Sequence, residues 1–237
     1  MQFKKNTGER VSLISGKKPI ILICPHGFQG DDKNTAIITE HIARKIDCYA
    51  VINRGWERAE SVDPENDKAD CNNIDHCYQE IVKEEFLDPI FRFVSRSLKK
   101  HPFIYTFYLH GMANLHRLKS GLYDLDIVVG SGGDDSESSS CSVWRKDLFC
   151  FCLYKKGFKI AEGTKKSKLA GASKDNMNQL FVQKVPNALI QSLQIEIIET
   201  RRRNEVQAIK TADLLSGAFN SMLETDSFYS TGKFDLY

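Results

Sequence analysis

Two histidines of this 237-residue chain share a local pattern, because each follows an apolar run and each precedes a glycine. His26 and Gly27 follow PIILIC, and His110 and Gly111 follow FIYTFYL. Imidazole nitrogens bind zinc, and a catalytic zinc site needs about three nitrogen or oxygen ligands and one open position. The repeat therefore predicts that His26 and His110 share a metal ion.

A third ligand is available close to His26. Asp31 lies five residues further along the chain, and Gly27 and Gly30 allow the intervening turn to fold back tightly. Asp32 is an alternative to Asp31. The other histidines have no matching partner, and we expect them to be structural or exposed: His41, His76, His101 and His116.

The segments around these residues alternate between strand and helix patterns. Strands are predicted at residues 19–24, 48–53, 103–109, 124–130, 158–163 and 189–197, and helices at residues 35–45, 78–100, 143–155 and 211–223. Pro89 predicts a kink or break in the second helix. The alternation predicts an α/β fold with three α/β/α layers and a mostly parallel or mixed central sheet. Ligands bind beyond the carboxyl ends of such strands, where both histidines are expected.

One hydrolase domain is expected over residues 1–237, with residues 1–18 and 225–237 peripheral. Residues 55–76 are polar without a clear period and predict a long surface loop or flap, and residues 130–140 predict a surface loop. The basic loop at residues 165–176 either closes over an anionic substrate, through Lys165, Lys166 and Lys168, or is a solvated surface.

Glu196 lies in the apolar segment SLQIEI, where a buried carboxylate is costly unless it is paired or faces a cleft. This favours a functional role. The alternative is a solvent-facing position on an edge strand, because Gln194 and Glu196 alternate with Leu193, Ile195 and Ile197. The pattern alone leaves both readings open.

Candidate substrate-binding residues follow two of the strands. Asn53 and Arg54 come directly after the second strand, and Arg201, Arg202 and Arg203 follow the last strand. Guanidinium groups bind carboxylates with two parallel hydrogen bonds, so any of these arginines could hold an acidic substrate. For the arginine run, a solvated helix start is the competing interpretation.

The composition limits the possible partners. The chain has 33 basic and 31 acidic residues and a formal net charge of +2, which offers no electrostatic footprint for nucleic acid or a lipid surface. Neither a signal peptide nor a membrane span is evident, so we expect a cytoplasmic protein with a small polar substrate. The seven cysteines lack CxxC spacing and are expected to be reduced and mostly buried.

Taken in order, the motifs CPHGFQGDDKNT, INR, YLHG, DIVVG and LQIEI resemble the N-formylglutamate amidohydrolase family, within the zinc-carboxypeptidase-like hydrolases. The resemblance covers residues 20–200 and implies a fold of the zinc-carboxypeptidase or phosphorylase/hydrolase-like type. A phage poly-γ-glutamate hydrolase group is similar at the His-Gly start and has an acidic residue at the position of Asp31. The chain departs from the carboxypeptidase HxxE spacing, which falls on Gln29, a poor zinc ligand.

This resemblance implies that His26, Asp31 and His110 bind Zn²⁺ and that Glu196 is the general base or acid. It also implies that Arg54 and an arginine of residues 201–203 contact the substrate. The expected reaction is hydrolysis of an amide bond in a small acidic N-acyl amino acid or peptide. Three alternatives remain: a γ-glutamyl or carboxypeptidase-like peptidase, a catalytically silent relative that binds a metal or an acidic ligand, and a structural interaction protein, which would leave the two histidines unexplained.

Overall fold

The central element of the protein is one mixed seven-stranded sheet with the strand order β1-β3-β2-β4-β7-β5-β6. A computed structural model describes residues 10–28, 30–114, 125–133, 138–163, 168–182, 184–185 and 189–230. The strands are β1 (Val11–Ile14), β2 (Ile20–Cys24), β3 (Tyr49–Asn53), β4 (Ile104–Met112), β5 (Ile127–Gly130), β6 (Ile160–Glu162) and β7 (Ile190–Ile198). The three-layer α/β prediction is confirmed.

Four parallel strands form the middle of the sheet, in the order β3, β2, β4 and β7. All residues of these strands are buried, as expected for strands covered on both faces. The edge strand β1 is antiparallel to β3, and β5 is antiparallel to β7. Strand β1 is an addition to the predicted strands, and it lies in a segment that was expected to be peripheral.

One face of the sheet is covered by three helices: α1 (Thr35–Ile46), α5 (Val143–Lys155) and α6 (Glu205–Ser230). Their apolar residues and the odd-numbered residues of β4 and β7 form one core cluster, which includes Ile42, Phe107, Phe149, Leu193 and Phe219. The bounds of α5 agree with the prediction. Asn34, which precedes α1, makes no side-chain cap and donates its amide to the carbonyl of Arg202.

The other face is covered by α2 (Ile74–Cys77), α3 (Glu80–Val82), α4 (Asp88–Leu98) and the segment 55–76. A π-helical segment at Lys83–Leu87 joins α3 to α4, and Pro89 lies in the first turn of α4. Proline is tolerated there because the first helical N–H groups lack intrahelical partners. Where the sequence predicted a kink or break in this helix, the structure has a π-helical segment directly before α4 and Pro89.

All seven cysteines are buried and free. Within the described residues, no helix is long and apolar enough to cross a membrane.

Helix α6 begins at Glu205 and continues to Ser230, beyond the predicted end at Leu223. The extension buries Asp226, which accepts hydrogen bonds from the Tyr105 hydroxyl at 2.5 Å and from Arg145 Nε at 3.1 Å. These contacts connect the end of α6 to β4 and α5. Part of the segment that was expected to be peripheral, up to Ser230, is therefore helical, and Asp226 packs against the core.

Replacing Asp226 tests this connection. We expect Asp226→Ala to lower the free energy of unfolding by about 3 kcal/mol, because it leaves Arg145 and Tyr105 without their buried partner. Glu224→Ala, an exposed position on the same helix, is the matched control and should change stability by less than about 0.5 kcal/mol. Urea unfolding measures both variants. Equal midpoints for the two would contradict this assignment.

Candidate metal and catalytic site

The turn that carries His26 is built by a buried asparagine. Asn53 Nδ2 donates to the carbonyls of Pro25 at 2.6 Å and Trp56 at 2.8 Å, and Asn53 Oδ1 accepts from the backbone of Gly55 and Trp56. The side chain is fully buried and its hydrogen-bonding capacity is used. Asn53 thus holds the His26 turn in place, which differs from its predicted role as a substrate ligand.

Gly27 is required by close packing in the same turn. A Cβ atom at this position would lie 2.7 Å from Ala36 Cβ and 2.8 Å from the carbonyl oxygen of Asn53. The Gly27 carbonyl accepts a hydrogen bond from the N–H of Ala36 in α1. The turn is therefore pinned between α1 and the end of β3.

His110 lies inside β4 and not in a loop after it. The strand continues to Met112 because β4 pairs with β7 over nine residues, from Ile104↔Ile190 to Met112↔Ile198. The expectation that His110 follows its strand, as His26 does, is wrong. This register places His110 directly opposite Glu196 on the neighbouring strand.

Glu196 is located on a central strand. β7 lies between β4 and β5, so the alternative of a solvent-facing edge position is wrong. The residue is 7% exposed and accepts a hydrogen bond from Gln194 Nε2 at 2.9 Å. The structure therefore brings Glu196 together with one of the two predicted histidine ligands.

Asp32 lies between the two histidines, at the end of the 3₁₀ turn Gly30–Asp32. Its Oδ2 is 3.4 Å from His26 Nδ1, and its Oδ1 is 3.4 Å from His110 Nδ1. The N–H of Gly111 donates to Oδ1 at 2.7 Å and orients the carboxylate. The side chain of the predicted ligand Asp31 lies outside the described residues.

These three side chains fit a metal ion. One ligand atom from each of His26, Asp32 and His110 can be chosen so that all lie within 4.8 Å of one another, and all three residues are buried. Two ligands of a tetrahedral zinc ion, each about 2.0–2.1 Å from the metal, lie about 3.4 Å apart. The 3.4 Å spacings between Asp32 and the histidines match this separation and are long for hydrogen bonds.

Asp70 is a further member of the site that the sequence analysis missed. Its Oδ1 is 2.7 Å from His26 Nε2, the nitrogen that faces away from Asp32. The N–H of Asn72 donates to the same oxygen at 2.8 Å, and Arg58 Nε donates to Oδ2 at 3.1 Å. A carboxylate at this nitrogen fixes the tautomer and the orientation of a metal-binding histidine.

The charges of the cluster shift several pKa values in the metal-free protein. Burial lowers the pKa of His26, but the neighbouring carboxylates of Asp32 and Asp70 outweigh this effect and raise it to about 9. Burial opposes the ionisation of Asp32, yet its interactions with His110 and His26 hold its pKa well below its usual range. Burial raises the pKa of Glu196 to about 7, against the effect of His110. Glu196 is therefore suited to exchange a proton near neutral pH.

The predicted substrate arginines are not brought together with this cluster. Arg54 donates to Glu40 of α1 and to Ser12 Oγ at 2.9 Å. Arg201 makes two hydrogen bonds to Asp126, at 2.6 and 2.7 Å. Arg203, in contrast, is exposed.

Arg202 is 2% exposed and acts as a structural tie at the rim of the sheet. Its guanidinium donates to the carbonyls of Ile197, Lys33 and Met112, at 3.0, 2.9 and 3.2 Å. These contacts connect the ends of β7 and β4 to Lys33, the residue after Asp32. The placement differs from the predicted substrate contact because the buried guanidinium faces backbone carbonyls.

The remaining predicted positions are structural or lie outside the described residues. His41 pairs with Asp213, and His101 contacts the carbonyl of Lys17. His76 accepts from the N–H of Asp70 and so supports the flap. Outside the described residues lie His116, Lys165 and Lys166, and the side chain of Lys168.

Comparison with protein-family models gives no match, and comparison with curated protein sequences gives none. Solved structures do match. The chain is similar to N-formylglutamate amidohydrolase from Ralstonia eutropha JMP134, with a TM-score of 0.57 and 15% identity over 94% of this chain and 99% of that one. It is also similar to a gene product from Agrobacterium tumefaciens, with a TM-score of 0.54 and 13% identity over 93% and 97% of the two chains.

A metallo-carboxypeptidase from Burkholderia cenocepacia has a TM-score of 0.52 and 10% identity, and the match covers 91% of this chain and 61% of that chain. At these identities the likeness concerns the fold. It confirms the fold resemblance predicted from the motifs and defines the class of the protein as a zinc-carboxypeptidase-like α/β fold.

Replacing Asp70 tests whether His26 binds a metal ion in the orientation that Asp70 fixes. We expect Asp70→Ala to weaken Zn²⁺ binding by about 10–100-fold, because His26 loses the group that fixes its tautomer. Glu60→Ala removes an exposed carboxylate from the same flap and should leave the affinity unchanged. Competition with a chelating dye measures the dissociation constants. Equal affinities for the two variants would rule out a positioning role for Asp70.

Proposed function

We propose that this protein is a zinc-dependent hydrolase that cleaves an amide bond in a small acidic N-acyl amino acid or peptide. The observation that carries the proposal is the buried group of His26, Asp32 and His110 with Glu196 on the adjacent strand. The fold likeness to N-formylglutamate amidohydrolase supports the same reaction class.

The proposed zinc ligands are His26 Nδ1, His110 Nδ1 and a carboxylate oxygen of Asp32. Asp32 replaces Asp31 in this proposal because its carboxylate faces both histidines. When bound, zinc supplies a Lewis acid that activates water and polarises the substrate carbonyl. Three protein ligands leave a position open for this chemistry.

Glu196 is the proposed general base and acid. Its buried carboxylate lies opposite His110, where it would accept a proton from the attacking water and return this proton to the leaving amine. Burial beside His110 therefore suits both steps of an amide hydrolysis.

The proposal that the substrate is acidic is supported by the resemblance to N-formylglutamate amidohydrolase and by the arginines near the candidate site. The guanidinium groups of Arg54, Arg201 and Arg202 are engaged by protein groups, so their proposed contacts with substrate would require these partners to be exchanged. Arg58 is an alternative. Its Nε donates to Asp70, but the side chain is 68% exposed and lies in a groove that Asn73 and His76 also line.

Two other functions remain as candidates. A γ-glutamyl or carboxypeptidase-like peptidase would use the same metal ligands and Glu196, and the fold likeness to the metallo-carboxypeptidase favours it. A catalytically silent relative would bind a metal or an acidic ligand without turnover. The position of Glu196 opposite His110 favours an enzyme, since a binding protein has no need of a buried proton acceptor there.

The metal content of the purified protein and its variants tests the proposed ligands. The purified protein should contain one Zn²⁺ per chain, and Asp32→Ala should reduce this content to background because the two histidines lose their shared carboxylate. Asp31→Ala is the control and should retain the ion. Elemental analysis after dialysis measures the content. Retention by Asp32→Ala together with loss in Asp31→Ala would instead assign the ligand to Asp31.

The reaction can be tested with Glu196→Gln and a substrate screen. The wild-type protein is assayed against N-formyl-L-glutamate, other N-acyl amino acids, γ-glutamyl peptides and peptides with a free carboxyl terminus, with and without a zinc chelator. We expect chelator-sensitive hydrolysis, and a loss of about 10²–10⁴-fold in Glu196→Gln with zinc retained.

Each outcome of this screen distinguishes the candidates. Preference for peptides over N-acyl amino acids would favour the peptidase. Stoichiometric zinc without hydrolysis of any substrate would favour the catalytically silent relative. Full activity in Glu196→Gln would remove Glu196 from the mechanism.

A further inference from the structure

Gln194 lies two residues before Glu196 on β7, so both side chains project from the same face of the sheet. The register places Gln194 opposite Tyr108, two residue pairs further into the strands than His110 and Glu196. The residue is 2% exposed. It therefore belongs to the buried floor beneath the candidate site.

Hydrogen bonds fix the orientation of the Gln194 amide. Its Nε2 donates to Glu196 Oε1 at 2.9 Å and faces the carbonyl of Leu169 at 3.4 Å. Both partners are acceptors, so the nitrogen must face them and the exchanged orientation of the amide is disfavoured. Glu196 Oε1 thus has a fixed donor supplied by its own strand.

The oxygen of the same amide is costly to bury. Gln194 Oε1 is buried and has no hydrogen-bond partner among the described residues. An unsatisfied buried acceptor costs about 1–3 kcal/mol. An apolar residue of similar size would avoid this cost. Stability alone does not explain a glutamine at this position.

Gly171 provides the space for this amide. Its φ is +64°, and a Cβ atom there would lie 2.8 Å from Gln194 Oε1 and 2.9 Å from Asn178 Cβ. The backbone at residues 169–171 therefore contacts both ends of the amide group: the Leu169 carbonyl faces the nitrogen, and Gly171 faces the oxygen. The side chain is held in one orientation.

We propose that Gln194 is a positioning residue that holds Oε1 of Glu196 and thereby directs Oε2 toward the metal site. Within the described residues, Oε2 accepts no hydrogen bond, so it is the oxygen that can receive a proton from water. This inference rests on the proposed role of Glu196 as the base. It assigns to Gln194 the orientation of that base and no direct contact with the substrate.

Two variants test the inference. Gln194→Met keeps the approximate volume and removes the donor, whereas Gln194→Glu keeps the shape and places an acceptor against Glu196. Both should lower kcat by roughly tenfold or more with KM changed by less than about threefold, because an orienting group acts on the chemical step. Zinc content should stay at one ion per chain.

Gln191→Met is the matched control. Gln191 is a buried glutamine on the same strand, and its Oε1 accepts from the N–H of Ser142 on the opposite face from Glu196. The Gln191→Met variant measures how much stability and activity change when β7 loses a buried amide outside the candidate site. It should change kcat by less than about twofold, even if its thermal midpoint falls.

Crystal structures of the zinc-loaded wild type and Gln194→Met provide a readout that is independent of turnover. We expect the Glu196 carboxylate to rotate away from its wild-type position in the variant. An unmoved carboxylate, or a kcat loss no larger than that of Gln191→Met, would overturn the proposal. A rotated carboxylate in a protein that hydrolyses none of the screened substrates would support the positioning and refute the proposed function.

Discussion

The arrangement of this protein depends on the nine-residue parallel pairing between β4 and β7. Strand side chains alternate between the two faces, so this register assigns odd-numbered residues such as Phe107 and Leu193 to the helix-covered core and even-numbered residues to the opposite face. His110 and Glu196 become neighbours as a direct result. A shift by one residue would place His110 beside an isoleucine and would turn the glutamate away from it. The same pairing therefore specifies both the core and the candidate site.

The sequence predicts the central strands well, because long buried apolar runs have few alternatives in an α/β protein. It misses the edge strand β1 and places the end of helix α6 too early. β1 has four residues and includes Ser12 and the exposed Leu13, so its pattern is too short to distinguish from a loop. The end of α6 was placed too early because its last turns carry polar residues such as Glu224 and Asp226. Asp226 is buried only through tertiary contacts with Tyr105 and Arg145, which local periodicity cannot reveal.

The candidate site shows a similar division. The sequence identifies His26, His110 and Glu196 as candidate site residues. The two histidines follow apolar runs, and the glutamate is a charged residue within an apolar strand. The choice between Asp31 and Asp32 depends on the rotation of a single 3₁₀ turn, which places successive side chains about 120° apart. Asp70 was missed because it lies 44 residues from His26 in a polar segment with no local motif. The arginines were misplaced because the carboxylates that pair with Arg54 and Arg201, those of Glu40 and Asp126, lie 14 and 75 residues away in the sequence.

The two strands that meet at the site are separated by 86 residues of chain at the level of Thr106 and Ser192. Closing so long a loop carries an entropic cost that must be met before the pairing contributes stability, and contacts of high sequence separation slow folding. His110 can be joined to His26 by the pairing of β2 with β4, but Glu196 arrives only with β7. The residues of the candidate metal site, His26, Asp32 and His110, are therefore all synthesised before Glu196, so the proposed base is the last part of the site to be added to the chain.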